Sequence, residues 1–318
     1  MKIKILDAAT LGADVDLSVF DSLGEVEIYP LTTRTELFLR VADAEACIIN
    51  KVKFDREAID AAKKLRLICV AATGYDNIDT AYCAEKGIAV CNVAGYSSNS
   101  VSQLTVAMVL FASVNLSAFR TSVADGTYSN GNVQNILTPV YHELAGKTWG
   151  IIGYGGIGQK VGAVAKALGC RVVVNKRMPV DGAECLTLNA LLSVSDIVTL
   201  HVPLTDMTRG MIGERELSLM KDGAFLVNVA RGAVLDEEAV ARAVECGKLG
   251  FFGCDVYSTE PMPESHPYFR IKDRENVCLT PHMAWGAYEA RERCLAEMIE
   301  NIKAFSRGDK RNRVDLDA

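Results

Sequence analysis

The feature that most constrains this chain is the stretch from Trp149 to Gly158, in which Gly153, Gly155 and Gly158 form G-x-G-x-x-G. An apolar run before it reads as a buried strand. After it, Ile157, Val161, Val164, Ala165 and Leu168 keep one helical face apolar, Gly169 ends the helix, and Arg171–Val174 supplies a second strand. In that strand–turn–helix setting the first glycine permits a tight turn. The second lets the backbone approach a pyrophosphate, and the third lets helix and strand pack closely. The helix start then offers unpaired N–H groups and a positive dipole end to phosphate oxygens. A dinucleotide site follows; the plain alternative is an α/β turn that binds nothing.

The 318 residues suit about two domains. A hydrophobic share of 49% is enough for ordinary cores. A net charge of −6 argues against nucleic acid or an anionic membrane as main partner. The ten cysteines are scattered without a C-x-x-C pair and fit free thiols in a reducing cytoplasm. The N-terminus reads as a strand and not a signal peptide. The most apolar run, Leu104 to Val114, is shorter than the roughly 20 residues a bilayer needs. The four histidines lie far apart and nothing suggests a metal.

The fold class is α/β with doubly wound parallel sheets. Five strands, Lys2–Leu6, Glu25–Tyr29, Ala46–Asn50, Leu65–Ala71 and Ile88–Val93, alternate with helical patterns at Asp55–Lys64 and Thr80–Lys86. Ser100 to Ala118 reads as one long helix, apolar almost all round and therefore buried. Asp125 to Gly146 reads as a polar arm. Six further strands follow: Thr148–Ile152, Arg171–Val174, Ile197–Leu200, Ala224–Asn228, Phe251–Asp255 and Val277–Thr280. A closing helix spans Glu289 to Phe305. A complete α/β unit thus precedes the glycine motif. The expected division is a substrate domain of 1–100 plus 287–318 with a dinucleotide-binding domain, 101–286, inserted in it.

Open parallel sheets bind ligands beyond the carboxyl ends of their strands. Three strands in the second half end at Arg231-Gly232, at Ser258-Thr259-Glu260-Pro261, and at Pro281-His282; one in the first half ends at Thr73-Gly74-Tyr75-Asp76. An arginine, a glutamate and a histidine so placed suit hydride transfer to a 2-keto acid. Arg231 can grip a carboxylate with its planar fork. A protonated His282 can give a proton to the ketone oxygen. Glu260 beside it would hold the tautomer and stabilise the imidazolium. The bare turn Thr73-Gly74-Tyr75 offers backbone N–H groups to the carboxylate. Taken singly, each residue has a plainer reading: a solvated loop cation, a turn, a capping or core histidine. Their order after a dinucleotide motif favours the functional one.

Along nearly its whole length the chain resembles the D-isomer-specific 2-hydroxyacid dehydrogenases. The matching segments are Ala71–Asp79, the Gly153–Gly158 fingerprint, His201-Val202-Pro203-Leu204-Thr205, Asn228–Gly232, Asp255–Pro261 and Thr280-Pro281-His282. The resemblance implies a catalytic set of Arg231, Glu260 and His282. Cofactor contacts are expected at Gly153, Gly155, Gly156, Ile157, Gly158, Asn175, Lys176, Arg177, His201, Val202, Pro203, Val229 and Ala230, with Asp255 meeting the nicotinamide carboxamide. Substrate contacts are expected at Lys51, Thr73, Gly74 and Tyr75. It also implies two α/β domains closing over a cleft, usually as a homodimer. Segments around Leu67–Gly74, Val90–Tyr96 and His282–Trp285 resemble glycerate dehydrogenases (hydroxypyruvate reductases), so the substrate class is hydroxypyruvate or glyoxylate. Two departures matter. Gln103 stands where the family often has Glu. The second strand, which usually ends in Asp, here ends in Asn175-Lys176-Arg177, so NADP(H) joins NAD(H) as a candidate cofactor. A dinucleotide-sensing corepressor on the same scaffold is a rival reading, as is a formate or phosphite dehydrogenase; Glu260 speaks against formate, whose oxidising relatives replace it.

Overall fold

The computed structural model describes residues 1–178, 180 and 182–316. The chain divides into two compact units, residues 1–97 with 285–318, and residues 98–284.

The first unit is built on a parallel sheet of β1 (Lys2–Ile5), β2 (Glu25–Ile28), β3 (Ala46–Ile49), β4 (Leu67–Val70) and β5 (Ala89–Cys91), in the order β2-β1-β3-β4-β5. The central strands Ala-Cys-Ile-Ile and Leu-Ile-Cys-Val are buried throughout, as strands covered on both faces must be. Alternate residues serve opposite cores. Ile48, Leu67 and Cys69 face a cluster containing Cys294, Met298 and Ile302 of the last helix, Tyr288–Ser306. Ile49, Ile68 and Val70 face Leu37, Val41 and Ile59 on the other side. The last helix thus returns to the first sheet.

The second unit carries β6 (Thr148–Ile152), β7 (Arg171–Asn175), β8 (Glu184–Cys185), β9 (Ile197–Leu200), β10 (Ala224–Asn228), β11 (Leu249–Cys254) and β12 (Val277–Leu279). All pair in parallel, in the order β12-β11-β10-β9-β6-β7-β8. From β6 the chain winds outward to β7 and β8, then returns to lay β9 on the other side of β6. Strand order reverses there, so the crevice beyond the β6 and β9 ends is the ligand position of such sheets. The two-residue strand β8 is too short and polar to give a periodic signal.

One expected element is corrected. The Ser100–Ala118 segment is not a single buried helix. It forms Ser98–Ser113 and Leu116–Ala124, bent by 63°. The break is Asn115, in the left-handed region at φ 48°, with its Nδ2 donating to Val140 O at 3.2 Å. Asparagine enters that region more readily than most residues. Only one face of the first helix is covered, through Val101, Thr105, Met108 and Val109; Leu116 and Val123 stand 52% and 61% exposed. Among the described residues no single helix is long and apolar enough to cross a membrane.

Candidate active site

The fingerprint turn leaves β6 and opens the helix Gly156–Ala167. Gly153 has φ +90°, and a Cβ there would lie 2.5 Å from the His201 carbonyl oxygen. A Cβ on Gly158 would lie 2.3 Å from Gly153 O. These two glycines are required by backbone contact. At Gly155 a Cβ would meet nothing within 4 Å. Its surface is a bare cradle at the start of a twelve-residue helix, which fits a dinucleotide pyrophosphate. Gly156 and Ile157 form the first helical turn over that cradle.

The loop after β9 forms the other wall. His201 N donates to Ile152 O at 2.7 Å, and His201 O and Val202 crowd Gly153. The ring lies with Nε2 at 3.1 Å from Thr199 Oγ1, which also accepts from Trp149 Nε1 at 3.2 Å. Its Nδ1 is buried and has no partner among the described residues. Burial pushes the imidazole down to about 3, so the ring is neutral. Pro203 follows, exposed. At the end of β7, Asn175 Nδ2 donates to Leu186 O at 2.9 Å. Lys176 and Arg177 are exposed, and among the described residues neither is in an ion pair.

Arg231 follows β10 after the buried Val229 and Ala230. Fully buried Asn228 braces that loop: its Oδ1 accepts from Ala230 N at 3.0 Å and its Nδ2 donates to Arg231 O at 2.9 Å. Arg231 Nη1 donates to Ala230 O at 2.9 Å. The next residue must be glycine, because a Cβ on Gly232 would sit 2.0 Å from the Tyr257 carbonyl carbon. The loops after β10 and β11 therefore touch backbone to backbone, which brings Arg231 beside the segment carrying Glu260.

Glu260 Oε1 accepts from Tyr257 N at 3.0 Å, and Oε2 lies 2.6 Å from His282 Nδ1. A carboxylate only accepts, so Nδ1 carries the proton in that contact and Nε2 is the nitrogen remote from Glu260. His282 has φ +53°, strained for a side chain of this size. What holds it is Asp255. This buried carboxylate accepts from Thr280 Oγ1 at 2.5 Å, Met283 N at 2.9 Å and Ala284 N at 2.8 Å. Burial pushes its carboxyl pKa up against those donors. Asp255, expected at the nicotinamide, also shapes the loop that presents His282. Behind Glu260, the side chain of Glu237 accepts from Ser258 N at 2.8 Å and from Ser258 Oγ, with His266 Nε2 at 2.9 Å. One carboxylate thus holds the Ser258 end of the Ser258–His266 loop by hydrogen bonds and lies close to the His266 ring at the other end.

Lys51 and Thr73–Tyr75 belong to the first unit. The Asp7 carboxylate, at the end of β1, accepts from the backbone N–H groups of Asn50, Lys51 and Val52 at 3.0, 2.6 and 3.1 Å, fixing the loop that carries Lys51. Burial pushes the Asp7 pKa up while these donors pull it down. Thr73 Oγ1 donates to Val93 O at 2.8 Å and leaves the turn exposed. Sequence reasoning missed Asp7, Asn92, Asn228, Glu237 and His266. Three of them, Asp7, Asn92 and Asn228, stand at strand ends, where the rule that found Arg231 would also have found them.

The family model "D-isomer specific 2-hydroxyacid dehydrogenase, NAD binding domain" matches residues 106–284. Hydroxypyruvate reductase from Blautia hydrogenotrophica is 33% identical over 324 residues, covering 99% of this chain and 100% of that one. Glycerate dehydrogenase from Methylorubrum extorquens is 35% identical over 315 residues, covering 99% of each. The crystal structure of D-lactate dehydrogenase from Aquifex aeolicus, complexed with NAD and lactic acid, superposes with a TM-score of 0.88 at 29% identity over 99% of each chain. An acyclic imino acid reductase in complex with NADPH and D-Arg gives 0.88 at 27% identity, over 99% of this chain and 100% of that one. The chain belongs to the D-isomer specific 2-hydroxyacid dehydrogenases and is a nicotinamide-dinucleotide-dependent oxidoreductase of that family.

Proposed function

We propose that the protein reduces a small 2-keto acid to the D-2-hydroxy acid, with hydroxypyruvate or glyoxylate as substrate and D-glycerate or glycolate as product. The names of the relatives from Blautia and Methylorubrum support that substrate class. When bound at the Gly153–Gly158 cradle, the reduced dinucleotide supplies the hydride for the keto carbon. Arg231 binds the substrate carboxylate through its guanidinium fork. In the first unit, the N–H groups of the Thr73–Tyr75 turn and the positive charge of Lys51 suit a substrate carboxylate. His282, protonated, delivers its Nε2 proton to the oxygen as charge develops there. Glu260 keeps Nδ1 protonated and the ring oriented.

The observation that carries this reading is the 2.6 Å contact between His282 Nδ1 and Glu260 Oε2, at strand ends next to Arg231. A coenzyme sensor has no need of a buttressed proton donor. The test is turnover on a panel of keto acids with both dinucleotides, with His282→Ala as control. Loss of general-acid action alone removes roughly 10²–10⁴ in rate. A variant keeping more than half the wild-type turnover would remove His282 from the mechanism.

The working form is a homodimer in the cytoplasm. All ten cysteines are free thiols, seven of them buried, as suits a reducing compartment. Leu110, Val114, Leu116 and Val123 are exposed together with Val133, Leu137 and Val140 of the 125–146 arm. Exposed apolar side chains on this helix pair and the arm that follows it suit an association surface. The exposed Lys176 and Arg177 favour NADPH, since a cation there attracts a 2′-phosphate that an acidic residue would repel.

A further inference from the structure

The Thr73–Tyr75 turn is held from behind by a relay of side-chain amides. Asn92, just beyond β5, donates from Nδ2 to Thr73 O at 2.7 Å. Asn301, fully buried in the last helix, donates from Nδ2 to Asn92 O at 3.0 Å. Its Oδ1 accepts from Arg311 Nη1 at 2.6 Å and from Asn312 Nδ2 at 3.0 Å. Arg311 is in turn paired with Glu297 at 2.6 Å, and Asn92 N donates to Asn312 O at 3.2 Å. The amide orientations are set by their partners. A guanidinium only donates, so the oxygen of Asn301 faces Arg311 and its nitrogen faces Asn92.

The relay ends on one peptide unit. Thr73 C=O and Gly74 N–H share a planar trans peptide, so they point in opposite directions. Drawing the carbonyl toward Asn92 turns the Gly74 N–H away from it. Among the described residues no group accepts that N–H. Val93 N to Ala72 O at 2.9 Å and Thr73 Oγ1 to Val93 O at 2.8 Å keep the flanking backbone from rotating. We infer that Asn92 is a positioning residue for substrate binding: through Thr73 it aims the Gly74 N–H at the substrate carboxylate, and Asn301 with Arg311 extends that hold to the segment after the last helix. The inference rests on the assignment of this turn to the carboxylate.

The test pairs Asn92→Asp, nearly isosteric but with an acceptor facing Thr73 O, with Arg311→Ala at the partly exposed end of the relay, which preserves a readout where N92D fails to fold. Hydroxypyruvate kinetics are measured together with NADPH affinity in the absence of substrate and amide hydrogen exchange across residues 72–77. In N92D the KM rises at least tenfold, kcat stays within threefold, NADPH affinity is unchanged and exchange accelerates at least tenfold. R311A moves KM and exchange the same way by less. A purely structural role would lower the melting temperature without separating KM from kcat. Unchanged exchange in both variants overturns the relay. Accelerated exchange with unchanged KM shows that the relay exists and that the turn does not hold the carboxylate, which overturns the assignment beneath it.

Discussion

Gly155→Ala separates binding from folding in a way the other fingerprint glycines cannot. Gly155 has φ −87° and ψ −158°, open to any L residue, and a methyl there meets no protein atom within 4 Å. As the residue capping the Gly156–Ala167 helix, its replacement by alanine costs about 0.5–1 kcal/mol. The reduced freedom of the unfolded chain returns about 0.4–1 kcal/mol. The net change in stability is about zero, within ~1 kcal/mol. Gly153→Ala is different. Its methyl would stand 2.5 Å from His201 O at φ +90°. Overpacking of that kind costs about 1–3 kcal/mol, and the left-handed conformation adds about 1–2 kcal/mol. The G155A methyl fills the space a pyrophosphate must enter, and a tenfold or greater rise in dinucleotide Kd is expected, about 1.4 kcal/mol or more. Urea unfolding gives the first quantity and fluorescence titration with NADH and NADPH the second. Wild-type dinucleotide affinity in G155A would refute the cradle; a G155A stability loss equal to that of G153A would refute the steric argument.

Other consequences can be measured on the same protein. Glu260→Gln should lower the turnover of reduction, because the ring loses the carboxylate that fixes Nδ1 and its orientation; wild-type turnover in this variant contradicts the role given to the contact seen at 2.6 Å. Arg231→Lys should raise the hydroxypyruvate KM strongly and lower turnover, since an ammonium cannot form the planar double contact; an unchanged kcat/KM removes Arg231 from the substrate. Sedimentation at micromolar concentration should show a dimer, and a 34.4 kDa species would exclude the association surface. NADPH should serve at least as well as NADH, and Lys176→Asp with Arg177→Ala should reverse that order; a clear NADH preference unchanged in the double variant would show that the cations do not read the phosphate.

The parts of the site that could be read from the sequence share one property: each follows a strand whose apolar run is visible by itself. Arg231, Glu260 and His282 come into view once β10, β11 and β12 are drawn and the strand-end rule is applied. The fingerprint glycines are legible because their spacing encodes two backbone contacts and one empty space, and the structure contains all three. The helix from Ser98 misled for the converse reason. An apolar sequence on every side offers no phase from which to locate a break, and a single asparagine in the left-handed region ended it.

What the supporting residues hold was illegible, because their partners are distant in sequence and carry no period; Asp255, and by the strand-end rule Asp7, Asn92 and Asn228, could be located but not paired. Asp255 reaches Met283 and Ala284 nearly thirty residues on, Glu237 reaches Ser258 across 21 positions, and Asn301 reaches Asn92 across 209. What links these supports is the kind of group they hold. Asp255, Glu237, Asn228, Asp7 and Asn92 all engage backbone N–H or C=O groups of the loops that carry candidate site residues. A parallel sheet ends its hydrogen-bond ladder at the very point where ligands bind, which leaves loop amides and carbonyls to be paired from elsewhere. A side chain at the end of a strand is within reach of them, and once buried it must find such a partner. The requirement that exposes backbone to a ligand at the strand ends therefore also recruits the buried polar groups that fix how that backbone is presented.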